Sequence, residues 1–345
     1  MLNTLAFAAR LLLTVTVGAG PFLTPAVAQT TGAPAQQSAA QAALGQITAE
    51  VPIGNTLRRF FAATPDTVWI ATSRDGTLTS VDTKTNRVSG VYKLADPSKG
   101  RSGNDPISVA VLGGQVWVSL YAESSLGRFD PKTGTLVERI KLPSPAYAVE
   151  SAGGFLWASA LDGDAVHRVD PQSGKVATVK VPAPMGVALG EGALWVVDHR
   201  SNQVVKVDPE SLEVLAYVRI LDEQDTRDDF SHGVAVGAGS VWAAGLDRQI
   251  LYRIDPKTNA VTARIKLPED AFSVRFAGGH VWVAVFNVDT RGDGALVRVD
   301  PATNSVVQRI PMPAPAGIGV VGNTLWVGAG APNTSQWLVR VELKP

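Results

Sequence analysis

Short runs in which apolar and polar residues alternate, divided by Gly, Asp-Pro and Asn turns, fill the chain from residue 46 to residue 345. A period of two places one face of each run against a core, which is the signature of half-buried β-strands. Residues 233–267 display the unit: Gly233-Val-Ala-Val-Gly237 predicts a first strand, Gly-Ala-Gly a tight turn, and Val241-Trp-Ala-Ala a second strand. Ile250-Leu-Tyr-Arg-Ile254 predicts a third, Asp255-Pro-Lys-Thr-Asn a hairpin turn, and Ala260 to Leu267 a fourth.

The unit recurs to the end of the chain. Tryptophan marks the second strand at Trp69, Trp117, Trp157, Trp195, Trp242, Trp282 and Trp326, at a mean spacing of about 43 residues. That is the period of one four-stranded propeller blade. The expected fold is therefore all-β, a seven-bladed β-propeller of four-stranded antiparallel blades. The seventh unit has three strand patterns, at 317–321, 325–328 and 337–343, whereas Ile47-Thr-Ala-Glu-Val-Pro-Ile53 reads as an outer strand without a blade. Pairing this N-terminal strand into the last blade would close the ring and cover an open sheet edge. Asp130, Asp170, Asp208, Asp255 and Asp300 each precede Pro. They read as turn residues, because Asp bonds turn amides and Pro presets the first turn dihedral. The repeated tryptophans read as packing between blades.

Charge narrows the function. With 31 Lys+Arg against 31 Asp+Glu, the chain is no basic nucleic-acid binder. It has no cysteine, which excludes disulfides, thiolate zinc sites and cysteine nucleophiles together. Residues 1–28 contain one charged side chain, Arg10, then an apolar run from Leu11 to Leu23 and Ala-Val-Ala before Gln29. This predicts a secretory leader cut after Ala28, the apolar run being shorter than the roughly 20 residues a span requires. Residues 29–45 are small, polar and aperiodic and read as a flexible linker, so 46–345 form the propeller. The expected location is periplasmic or secreted, as a monomer with no membrane span after cleavage.

Gly186-Val-Ala-Leu-Gly-Glu-Gly-Ala-Leu-Trp-Val196, with the recurring Val-x-Arg-Val-Asp-Pro, resembles the secreted bacterial seven-bladed propellers that include streptogramin (virginiamycin B) lyase and the YVTN-repeat proteins. The resemblance covers residues 46–345 and implies the propeller fold. For the lyases it also implies metal-dependent elimination by two histidines in Pro-His-Gly/Ala-Ile motifs and a glutamate in Trp-Phe-Thr-Glu. One of these matches, His232 in Ser231-His-Gly-Val-Ala. The corresponding positions of the neighbouring blades hold Met185 and Phe272, and the third residues after Trp242 and Trp282 are Gly245 and Val285.

Propellers bind ligands where loops gather about the axis, so positions in register with the marker tryptophans locate candidates. Ten residues before each stand Arg59, Ile107, Tyr147, Met185, His232, Phe272 and Ala316. One cation, one imidazole, two aromatics and apolar neighbours suit a funnel for a small amphipathic ligand or a protein partner. Three residues further along stand Ala62, Ala110, Glu150, Ala188, Ala235, Arg275 and Gly319. Small residues suit a crowded axis, so Glu150 and Arg275 are exceptions, read as a tunnel ion pair that also counts among the candidate lining residues.

Insertions at 95–106 and 221–231 enlarge two upper loops. The second is acidic, while Arg58, Arg59 and Arg74 stand across the ring. His199, His232, Asp228 and Asp229 are candidate ligands for a divalent metal such as zinc, and the carboxylates alone would suit calcium. Residues 287–294 resemble a calcium loop, but Arg291 takes a ligand position and no glutamate closes the loop. His167 and His280 read as surface residues. The leading reading is an exported binding or scaffold module, and the alternative is a metal-assisted lyase or hydrolase acting through His232.

Overall fold

The computed structural model describes residues 45–54, 60–73, 75–94, 106–221, 231–290, 292–330 and 336–343. Among these residues, 28 strands form seven four-stranded sheets. β1 is Gln46–Gly54. Blade 1 holds β2 to β5, at Phe61–Ala63, Thr67–Thr72, Thr77–Asp82 and Arg87–Lys93. Blade 2 holds β6 to β9, at Pro106–Leu112, Gln115–Leu120, Ser125–Asp130 and Thr135–Lys141. Blade 3 holds β10 to β13, at Ala148–Ala152, Phe155–Ala160, Ala165–Val169 and Val176–Lys180, and blade 4 holds β14 to β17, at Pro184–Gly190, Ala193–Asp198, Gln203–Val207 and Val214–Arg219. Blade 5 holds β18 to β21, at Ser231–Gly237, Ser240–Gly245, Ile250–Asp255 and Ala260–Lys266. Blade 6 holds β22 to β25, at Ala271–Ala277, His280–Phe286, Gly294–Asp300 and Ser305–Pro311. Blade 7 holds β26 to β28, at Gly317–Val321, Thr324–Ala329 and Gln336–Glu342.

Strand order follows the chain in six sheets. In the seventh it is β1-β28-β27-β26, so the N-terminal strand supplies the outer strand of the last blade. The pairing runs from Gln46 opposite Glu342 to Gly54 opposite Gln336. The leader, most of the linker and the expected loops at 95–105 and 222–230 lie outside the described residues.

The core consists of layers between blades. Trp242 of blade 5 packs with Val274, Val283 and Val297 of blade 6, and comparable clusters join every successive pair. The marker tryptophans from Trp117 to Trp326 are fully buried, and the indole N–H of Trp157, Trp195, Trp242 and Trp282 donates to the carbonyl five residues earlier at 3.0–3.2 Å. Opposite each tryptophan on the third strand stands a basic residue, except at Trp69, which faces Ser80. Lys206, Arg253, Arg298 and Arg340 lie 5.0–5.7 Å above their indoles, within cation–π range.

Several of these side chains also cross to the next blade. Lys206 Nζ donates to Pro256 O at 2.7 Å, Arg253 Nη1 to Pro301 O at 2.7 Å, and Arg340 Nη1 to Thr83 O at 3.0 Å. Arg168 reaches the Pro209 and Glu210 carbonyls in the same way. The acceptor turns that follow Asp208, Asp255 and Asp300 are shaped by these aspartates, as expected: they accept turn N–H groups at 2.7–3.1 Å, and Asp130 and Asp170 do the same in their own turns at 2.9 Å.

One expectation is overturned. His167 is not a surface residue but fully buried, because the neighbouring blades cover both faces of a third strand.

Candidate functional site

The inner strands β2, β6, β10, β14, β18, β22 and β26 pack on one another in a closed ring. Close approach is built into the backbone. A Cβ added at Gly186 would lie 2.8 Å from the carbonyl oxygen of His232, so glycine there lets β14 sit hard against β18. Above the ring, where outer strands pass to the next inner strand, an open recess of about 60 Å³ is lined by Phe60, Phe61, Met185, His232, Phe272 and Ala316.

Four rings from three blades stand in a row, of which His232 and Phe272 line the recess. Phe272 stacks on His232 with centroids 4.9 Å apart and planes 21° apart. His199 meets His232 edge to face at 4.7 Å, and Phe286 lies 5.1 Å from Phe272. Elsewhere on the recess side, Phe60 and Tyr147 make an edge-to-face pair at 5.3 Å. The floor is charged: Arg275 Nη2 donates to Glu150 Oε1 at 2.6 Å. This ion pair is partly solvated, with side chains 32% and 44% exposed, so it is a weaker structural tie than a buried pair would be.

Of the sequence candidates, Met185, His232, Phe272, Glu150 and Arg275 meet at the recess, and Tyr147 flanks it through Phe60. Arg59, Asp228 and Asp229 lie outside the described residues, as do Arg58 and Arg74. Among the described residues no group of three or more His, Asp or Glu side chains is placed to hold a metal ion. His199 and His232 do come together, but Asp198, next in sequence, accepts the N–H groups of Arg200 and Ser201 and serves its own turn. Sequence reasoning missed Phe60 and Phe286. The signal for Phe286 was available: His199 and Phe286 both stand four residues after a marker tryptophan, a second register at the upper ends of the second strands.

No protein-family model matches the chain, and no curated protein matches it in sequence. Solved structures match it in shape. A streptogramin B lyase structure superposes with a TM-score of 0.69 at 15% identity, covering 87% of this chain and 98% of the other. In fold, the chain stands with the streptogramin lyase propeller. A chain of the mitotic checkpoint complex gives 0.71 at 11% identity over 95% and 100%, and the WD40 propeller domain of Doa1 gives 0.65 at 10% over 86% and 96%. At these identities the likeness is one of architecture. Gly245 and Val285, where the sequence resemblance implies a glutamate, are buried.

Proposed function

We propose that the chain is an exported, monomeric binding propeller whose upper recess takes a small ligand with a flat apolar body. The observation that carries this reading is the row His199, His232, Phe272 and Phe286 beside a recess with a polar floor. Stacked rings offer a face to a planar group, and a few polar atoms at the base fix its orientation. Export rests on the leader pattern of residues 1–28, and the lack of cysteine is compatible with an oxidising compartment. Among the described residues no helix is long and apolar enough to cross a membrane.

Ligand-observed NMR with small aromatic probes such as 2-phenylethanol and indole tests the reading. Wild type is expected to bind at least one of them, and Phe272→Ala to bind it at least tenfold more weakly. Equal binding by the two proteins would place the probes elsewhere and overturn the assignment of the recess.

The approach of His199 to His232 favours a second reading, metal-assisted chemistry. Two imidazoles supply two of the three protein ligands a catalytic zinc ordinarily takes, and the third would come from residues 222–230. On this reading, chelator-treated protein titrated with zinc takes up one ion per chain, and His232→Ala abolishes uptake. Absence of heat in the wild-type titration removes it.

A further inference from the structure

Glu150 and Arg275 occupy the register position opposite the marker tryptophans, Glu150 facing Trp157 in blade 3 and Arg275 facing Trp282 in blade 6. At this level the other five blades place Ala or Gly, so one acid and one base stand alone in a ring of small residues. Blades 3 and 6 are not neighbours, so the bond between these residues spans the ring. The same two side chains line the upper recess and a second recess below it, toward Ser151 and Phe276. They form the bar that divides the two spaces.

The bar is built to open. Its hydrogen bond engages one carboxylate oxygen and one guanidinium nitrogen, whereas a bidentate fork would engage two of each. Arg275 Nη1 donates to Val274 O at 3.1 Å, which anchors the guanidinium to its own strand. Both side chains remain about a third or more exposed at the bottom of the recess, within reach of a ligand that enters from above.

The pair also selects charge. A ligand bearing only a carboxylate would take Arg275 and leave Glu150 without its cation, and one bearing only an ammonium would strand Arg275. In this partly solvated recess, leaving either member without its partner puts an uncompensated charge at the floor. A zwitterion replaces one ion pair by two, with no change in net charge. Resting on the binding reading above, we propose that Glu150 and Arg275 recognise the ammonium and carboxylate of a free amino acid. Its apolar or aromatic side chain lies upward against His232 and Phe272.

Calorimetric titration of the full chain with L-phenylalanine, 3-phenylpropionate, phenethylamine and 2-phenylethanol tests the proposal. Phenylalanine is expected to bind, each of the three analogues at least tenfold more weakly. Glu150→Gln and Arg275→Gln, both checked by thermal melting, are each expected to weaken phenylalanine at least tenfold. 2-Phenylethanol binding as tightly as phenylalanine overturns the proposal and leaves the apolar recess intact. 3-Phenylpropionate binding as tightly, with loss in Arg275→Gln, overturns it in favour of a simple anion site. No heat from any of the four overturns both the proposal and the aromatic-ligand reading. Should either variant fail to fold, the analogue series on wild type decides alone.

Discussion

His167 is held between two hydroxyls, with Nε2 2.9 Å from Ser144 Oγ and Nδ1 2.9 Å from Thr178 Oγ1. Either neutral tautomer is satisfied there, since a hydroxyl both donates and accepts. Burial disfavours the cation most, Lys180 adds to this, and a hydrogen bond with the Ser144 backbone opposes it, so the pKa lies below the ordinary value of 6.5. The unfolded chain therefore takes up the proton first. Above 6.5 the contribution of His167 to stability is fully present, and it is lost as the pH falls from 6.5 toward the lower folded value, with a slope of at most ~1.4 kcal/mol per pH unit. Urea midpoints at pH 7.5 and pH 5.0 are expected to fall further in wild type than in His167→Gln. Parallel shifts in the two proteins would exclude His167 as the source. The turn aspartates act in a separate window. Asp82, Asp170, Asp208, Asp255 and Asp300 are held below 3.8, chiefly by hydrogen bonds accepted from Thr85, Ser173, Ser211, Thr258 and Ala302 respectively. What they contribute persists above 3.8 and is lost only as the pH drops through their lower folded values.

At the scale of the element, legibility followed the repeat. The tryptophan register alone places Glu150 and Arg275 in the correct ring, because a strand paired at Trp157 or Trp282 has its inner neighbour's position determined. The turn aspartates and the basic third-strand residues were both visible as repeats, but not the fact that one reaches the other: Arg253 to Pro301 and Lys206 to Pro256 are contacts between blades, which a pattern within one blade does not encode. The misplacement of His167 has a related cause. In an open sheet its alternation with Val166 and Arg168 would separate an exposed face from a buried one. In a third strand packed by blades on both sides, alternation says only which neighbour is touched. Phe60 escaped because it lies one residue off the register, before a first strand of only three residues. Leu212 shows how strongly the turn template holds, taking φ 63° at the place where blades 2 and 3 use Gly134 and Gly174 and where Asn259 and Asn304 stand in blades 5 and 6.

For the whole molecule the decisive feature is the join between its ends. β1 is more than an added edge: Val51 and Ile53 pack with Leu338 and Trp326 of blade 7 and with Val68, Ile70 and Val81 of blade 1, so one strand completes a sheet and fills a layer between blades. Arg340 fastens the same junction from the other terminus through Thr83 O and Asn86 Oδ1. Blade 6 registers the special geometry. The blade that follows takes its outer strand from β1; Arg298 Nη2 donates to His280 Nε2 at 2.6 Å, and Gln308 donates to Gly45 O at 3.0 Å. Removing residues 46–53 would expose the edge of β28 and uncover blade 1 together. Val51 and Ile53 are 2% and 7% exposed, and burying such side chains contributes about 1.5–3 kcal/mol each. At roughly 2.1 cal/mol/K of unfolding entropy per residue, 1 kcal/mol moves the melting temperature of a propeller of this size by about 1.6 °C, so the deletion is expected to lower it by at least about 5 °C. It is also expected to promote association through the open edge, read by size-exclusion chromatography. An unchanged melt with a monomeric elution profile would mean that the ring is held closed without β1.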